Sequence, residues 1–305
     1  MDAPLTGVVP VVPTIFRDDE TIDTDGTARV VDYLIDAGAD GLCLLANYSE
    51  QFSLTDAERD SLARTLLEHV AGRLPVIVTT SHYSARVAVE RSRAAQEAGA
   101  AMVMLMPPFF GATITAAGPA VIEYFKRVSD AIDIPVMVQD APLSATPLPA
   151  DLLSDLVRQV PQVQYAKIEV PQAADKIHAL VSALGDTLPG PFDGEESVTL
   201  IPDLDAGAKG TMPSSMVPAE LGTIVRGYLS GDRAGAVAAW EDLLPLIHYE
   251  NRQCGLRAQK ILLAAGGIIA SDRTRTPLGP VPDRTRRGLL ELAVARDPLI
   301  LRWAR

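Results

Sequence analysis

An α/β fold is predicted for this sequence: a (β/α)8 TIM barrel of parallel strands ringed by helices, with a C-terminal helical extension behind it. Three observations lead there. Short runs rich in Val, Ile, Leu and Met alternate with longer amphipathic stretches at the spacing of βαβ units, and the alternation recurs through eight rounds. Runs such as VMLM, residues 103–106, are continuously apolar, the pattern of strands buried on both faces of a parallel sheet. The length, 305 residues, suits one barrel of ~250 residues with additions.

In order, the strands are expected at residues 8–14, 41–45, 75–80, 101–106, 134–139, 163–169, 188–193 and 209–212, the seventh being the least regular. Helices fill the gaps. Thr55 and Glu58 fit a capping box, in which each side chain satisfies a free backbone N–H of the other residue. Gly38 and Gly99, in the phrases AGAD and AGAA, stand where a helix ends in a left-handed residue. After the eighth strand, residues 218–305 read as helical, broken at Gly231, Gly266 and the proline-rich stretch 277–282. No flexible linker intervenes, so one domain is expected, with the barrel at about 7–230 and the C-terminal helices at about 231–305.

Composition narrows the function classes. A net charge of −12 opposes binding to nucleic acid phosphates, which requires Lys and Arg to neutralise them. Arg273, Arg275, Arg284, Arg286 and Arg287 cluster, but Pro and Asp interrupt them and a solvated surface is the preferred reading over an anion site. Cys43 and Cys254 give no disulfide framework. Neither a signal peptide nor an apolar run of ~18 residues is found, so the chain reads as cytoplasmic and without a membrane partner.

In a parallel barrel the active site lies at the C-terminal ends of the strands. Polar residues expected there are Thr14, residues 47–50, residues 79–82, Gln139, Asp140, Lys167, Glu169, residues 194–196 and Thr211. Lys167 is the sharpest, because a lysine inside the apolar strand VQYAKIEV must leave the core or be desolvated. Desolvation is expected to lower its pKa and free a neutral amine to attack a carbonyl. The competing readings are an ion pair with Glu169 or a snorkelling surface lysine. Residues two apart on a strand share a face, so Glu169 should project beside Lys167, as an acid/base or as a structural counter-ion, with backbones roughly 7 Å apart.

Asp193, Glu195 and Glu196 cluster without a histidine, and no metal is expected. The four histidines show no ligand spacing, and only His82 falls near a strand's C-terminal end, where it is a candidate substrate contact. Nothing marks an activating base for Cys254, so packing is its expected role. No Gly-rich nucleotide fingerprint is present, and no cofactor is expected.

Several phrases, in this order and spacing, carry a family resemblance from about residue 7 to 267: VVPTIF, GLCLLANYSEQFSLTDAER, MLMPPFF, IPVMVQDAP, YAKIEV and GAKGTM. On them the chain resembles the dihydrodipicolinate synthase and N-acetylneuraminate lyase superfamily of class I pyruvate-type aldolases and dehydratases. The resemblance implies that Lys167 forms a Schiff base with a 2-keto acid, that backbone donors near Ser49 and Glu50 hold the substrate carboxylate with Ser49 the better candidate, and that the assembly is a homotetramer or dimer. Gly194, Glu195 and Glu196 match a loop of the family with a structural or substrate-wall role, which makes Gly194 a candidate substrate contact, as Thr211 is by its place at the end of its strand.

Departures from the family pattern are equally informative. Residues 46–50 read Ala-Asn-Tyr-Ser-Glu where Gly-Thr-Thr-Gly-Glu is common, replacing the hydroxyl relay position with Asn47. Gln139-Asp140-Ala141-Pro142 replaces Tyr-Asn-Val-Pro, so the proton-shuttling phenol is absent; Phe109 and Phe110 replace tyrosines; and the arginine expected of a dihydrodipicolinate synthase falls at Ser144. QDAP, KIEV, GPFDGEE and YENRQCGLRA are instead similar to the 2-dehydro-3-deoxy-L-arabonate dehydratase subgroup, which makes 2,5-dioxopentanoate in pentose breakdown. That similarity implies a hydro-lyase with Lys167, Glu169 and Gln139 as catalytic residues. Asn47 and Tyr48 would contact substrate, Tyr48 alternatively serving packing or a subunit contact. An aldolase releasing pyruvate shares the first intermediate, and a non-catalytic ligand-binding barrel is a third possibility.

Overall fold

Each strand of the barrel carries its apolar residues alternately inward and outward, and this parity positions the polar groups at its mouth. In the computed structural model, which describes residues 4–304, the strands are β1 (Gly7–Val8), β2 (Leu42–Leu44), β3 (Val76–Thr79), β4 (Met102–Leu105), β5 (Phe109–Phe110), β6 (Ile114–Thr115), β7 (Val136–Asp140), β8 (Val163–Ile168), β9 (Gly190–Asp193) and β10 (Gly210–Thr211). All except β5 and β6 form one parallel sheet of eight strands in the order β1-β10-β9-β8-β7-β4-β3-β2. The ring closes where Val11 bridges Cys43: Val12 N–H donates to the Cys43 carbonyl at 2.9 Å and Cys43 N–H to that of Pro10 at 3.0 Å.

The expected strands are thus found, with β1 shorter than residues 8–14 suggest. Pro10 and Pro13 have no N–H to give a ladder, so pairing there is intermittent. Helices follow the strands, including Asp56–Val70, where the Thr55–Glu58 capping box forms. Gly38 and Gly99 take φ of +76° and +97° at their helix ends. Past Pro218–Leu229 the chain continues as Arg233–Tyr249, a π-helical turn Glu250–Cys254, Arg257–Ala265 and Asp283–Val294.

Two packed layers result. Val103 and Leu105 of β4, Val136 and Val138 of β7, and Ala166 and Ile168 of β8 face the helices; Met102, Met104, Met137, Tyr165, Phe192 and Met212 fill the barrel interior. Lys167 shares the inward parity of Tyr165, and Gln139 that of Met137. The β5–β6 hairpin and the π-turn were not anticipated: two-residue strands are too short to show a period, and a π-turn keeps the apolar pattern of the helix around it. Among the described residues no helix is long and apolar enough to cross a membrane.

Candidate active site

At the C-terminal end of the barrel a cavity of about 440 Å³ is lined by Asn47, Tyr48, Gln139, Leu143, Lys167, Glu169, Glu195, Glu196 and Asn251, among others. Lys167 Nζ lies 2.8 Å from Glu169 Oε1, and both side chains are largely buried. The same oxygen accepts a 2.8 Å bond from Gln139 Nε2. Neighbouring strands bring these groups together: Gln139 on β7 is paired in register with Lys167 on β8. The Gln139 Oε1 is buried without a partner among the described residues.

Burial does disfavour the Lys167 ammonium, but the expected fall in its pKa is not what results. Glu169 and Glu196 favour the charged form and together outweigh desolvation, so the pKa is raised. Sequence reasoning weighed one neighbour; the fold supplies two carboxylates. The amine therefore rests as an ammonium and has to lose a proton before it can attack a carbonyl.

Glu196 reaches the cavity through an unusual backbone, with φ of +52° at Glu196 and +72° at Ser197. Holding two consecutive non-glycine residues there costs on the order of 1–3 kcal/mol each. Asn251 Nδ2, from the π-turn, donates to Glu196 Oε2 at 3.3 Å. Burial raises the Glu196 carboxyl to about 7, against the pull of Lys167. Burial likewise pushes the Tyr48 phenol and the Glu250 carboxyl well up, each aided by repulsion from Glu196. The phrase YENRQCGLRA held the one signal for Glu250 and Asn251, without indicating that the extension returns to the barrel mouth.

Three expected substrate contacts sit behind the cavity wall instead. Ser49 is buried; its hydroxyl donates to the Val12 carbonyl at 2.6 Å, and its N–H closes the turn onto Ala46. The Glu50 N–H is likewise bonded, to the Asn47 carbonyl. In such a 3-10 turn, Asn47–Ser49, the N–H groups of Asn47 and Tyr48 have no partner within the turn. Gly194 also positions: a Cβ there would stand 2.1 Å from Glu169 Cγ, and its N–H bonds Ile168. Thr211 is wholly buried, donating to Asp193 and bonded at 2.7 Å to Ser197, a network that holds the loop carrying Glu196.

The loop after β2 is braced from the C-terminal helices. Lys260 pairs with Glu50, both fully buried, and Arg275 N–H donates to the second Glu50 oxygen at 3.0 Å. Gln259 Nε2 donates to the Tyr48 carbonyl at 2.9 Å while its Oε1 accepts from Ser215 N–H and hydroxyl. His82 lies elsewhere, in an adjoining cavity with Phe52, Tyr83, Phe109 and Phe110, its Nδ1 accepting from Ser84 N–H. Asp140 is bound by Lys176. Among the described residues no group of three or more His, Cys, Asp or Glu is placed to hold a metal.

Residues 4–295 match the pattern of the dihydrodipicolinate synthetase family. The chain is 52% identical over 298 residues to the L-2-keto-3-deoxyarabonate dehydratase of Azospirillum brasilense, covering 98% of this chain and 96% of that one. A 4-hydroxy-tetrahydrodipicolinate synthase of Sorangium cellulosum is 30% identical over 292 residues, covering 94% and 95%. Among solved structures, YagE from Escherichia coli K12 in complex with pyruvate superposes with a TM-score of 0.89 at 26% identity, covering 97% of this chain and 100% of that one.

Proposed function

The chain belongs to the dihydrodipicolinate synthetase family, and from that premise we propose that it is a Schiff-base hydro-lyase that dehydrates a 2-keto-3-deoxy sugar acid, 2-dehydro-3-deoxy-L-arabonate, to 2,5-dioxopentanoate and water. The observation that carries this reading is Lys167, an inward-facing amine buried at the barrel mouth, 2.8 Å from Glu169 and open to the cavity. Gln139, standing beside it, has no titratable proton, which favours loss of water over the relayed proton transfers of carbon–carbon cleavage.

The substrate carboxylate docks on the N–H groups of Asn47 and Tyr48. Lys167, once deprotonated, adds to the C2 ketone and expels its oxygen as water, giving an iminium. Glu169 removes a C3 proton and the C–H pair becomes the enamine C2=C3 bond. The nitrogen pair then drives formation of C3=C4 as the C4–O bond breaks and the hydroxyl leaves with a proton, as water. Loss of a C5 proton and return of one to C3 leave an enol that becomes the C5 aldehyde, and water frees Lys167. Gln139 Nε2 donates to Glu169 and keeps it aimed, while its Oε1 accepts from a substrate hydroxyl.

This reading places the protein in pentose breakdown in a reducing cytoplasm, in keeping with its two buried, unpaired cysteines. It requires no cofactor. The barrel, about 7–230, and the helices, about 231–305, work as one domain, because Asn251, Gln259 and Lys260 serve the site. A homo-oligomer, dimer or tetramer, is the proposed assembly.

Substrate supplied to the enzyme and followed by NMR should yield the semialdehyde; pyruvate release would establish an aldolase, and no product a binding protein. Borohydride with pyruvate should label the wild type at Lys167. Lys167→Ala and Lys167→Arg should take no label and lose turnover by about 10³-fold or more, on the order expected for removing the nucleophile of a covalent mechanism.

A further inference from the structure

The turn that follows β9, residues 194–199, is closed at its base by five side chains. Thr211 on β10, paired in register with Asp193 at the end of β9, donates its hydroxyl to Asp193 Oδ2. With that hydrogen committed, Thr211 accepts from the Ser197 hydroxyl at 2.7 Å. Thr199 donates at 2.8 Å to Oδ2 of Asp203, which lies on the helix Leu200–Asp205 beyond the turn. All three hydroxyl hydrogens are then in use, yet Asp193 and Asp203 also hydrogen-bond each other, and ionised carboxylates have no hydrogen to give. Asp193 Oδ1 and Asp203 Oδ1 are both buried with no donor among the described residues. Neither aspartate forms an ion pair among those residues; Lys167 on β8 faces Asp193 from longer range and is held by Glu169. Two carboxylates in contact at a dry site cannot both ionise. Burial pushes both carboxyls up, Asp193 well up with repulsion from Asp203 added.

We propose that Asp193 and Asp203 share one proton, and that this acid–carboxylate pair positions the cavity wall by clamping the helix Leu200–Asp205 to the end of β9. The turn between the two clamped ends carries Glu195 and Glu196 to the cavity and holds left-handed backbone at Glu196 and Ser197, a conformation that persists only where the surroundings fix it from both sides. Both aspartates lie outside the cavity lining, so they act through the turn and not on a bound molecule. The shared proton also sets an upper pH limit on the wall. As pH rises through the folded-state pKa of the pair, the hydrogen is lost, two like charges meet in a dry site, and the clamp opens. The groups that face the pair supply no replacement: the hydrogens of Thr199 and Thr211 are in use, and Lys167 is engaged by Glu169.

The test counts the proton and then asks what it does. The folded pair holds one proton that two unfolded aspartates release, so its stabilisation is complete below their ordinary 3.8 and is lost as pH rises through the folded value. Asp203→Asn replaces the hydrogen by an amide N–H that cannot ionise. Between about pH 5 and 7 the ratio of wild-type to variant unfolding constants should therefore grow about 10-fold per pH unit, the effect of one proton, and a constant ratio overturns the proposal. At neutral pH Asp203→Ala should lower kcat/KM about 10- to 100-fold, the range expected when a distant change misplaces a site wall, with borohydride trapping of pyruvate retained. Asp203→Asn should recover most of that loss; an Asn variant no better than the Ala variant overturns the positioning role. Should the variants fold poorly, the wild type still decides: with its aspartate side-chain carboxyls isotope-labelled, carbon NMR at neutral pH should show a protonated aspartate, and none overturns the shared proton. The unfolding ratio and the carbon signal are independent of the reaction catalysed, so failure of the dehydratase reading would leave both unchanged.

Discussion

Lys167 and Glu196 line one cavity, and each shifts the protonation of the other. Glu196 moves from an ordinary 4.5 to about 7 on folding, so the folded state holds its proton more tightly than the unfolded chain. Its contribution to stability is complete below pH 4.5 and is lost as pH rises through 7. At 1.36 kcal/mol per pKa unit, the loss is at most about 3 kcal/mol. Glu196→Gln, which cannot ionise, should therefore unfold at the same denaturant concentration as wild type near pH 4 and at a higher one at pH 8. Equal midpoints at pH 8 would show that Glu196 is not held in a desolvated site. Alternation along one strand made the Lys167–Glu169 pair legible in the sequence, since two residues on one strand face need no knowledge of the rest of the fold. The direction of the Lys167 shift was not legible, because Glu196 is separated from it by a strand and a strained turn whose backbone no residue type announces.

At the scale of elements, the loop after β2 shows why an active site can depend on residues far along the chain. Glu50 sits in a left-handed conformation between two short 3-10 turns, and its carboxylate, which would repel that of a substrate, braces the loop. Its partner was not readable: Lys260 is 210 residues away on Arg257–Ala265, with its Nζ 4.6 Å from the centre of the Phe16 ring. Replacing Lys260 by Met leaves a buried carboxylate with the Arg275 N–H in place of a cation, and should destabilise by about 3–5 kcal/mol, the usual consequence of breaking a buried pair from one side. Lys260→Met with Glu50→Gln should recover much of that loss. Denaturant unfolding measures both; a double variant no more stable than the single one would mean that packing around Lys260, rather than the charge on Glu50, is what the lysine supplies. Turnover should fall with the single variant as well, since the same helix holds the Tyr48 carbonyl through Gln259.

The whole molecule presents one face that the fold of a single chain leaves unexplained. Phe52, Tyr83 and Phe110 are 65%, 48% and 66% exposed around the cavity that adjoins the catalytic one, with Tyr83 and Phe110 ring centres 6.2 Å apart. Leu143, also exposed, lines both cavities, so whatever covers the aromatic face borders the active site. Contiguous exposed aromatics of this kind mark protein contacts, and a second copy of the chain is the partner the proposed assembly provides. Phe110 projects from the β5–β6 hairpin, away from the barrel core, so its replacement tests the contact without disturbing the fold. In sedimentation velocity the wild type should run as a dimer or larger, and Phe110→Glu combined with Tyr83→Glu should shift it to monomer or weaken association at least 100-fold, as removal of interface anchors worth about 3 kcal/mol requires. The far-ultraviolet circular dichroism should not change. A wild type that sediments as a monomer at micromolar concentration would leave this aromatic face to another partner and show that the site is complete within one chain.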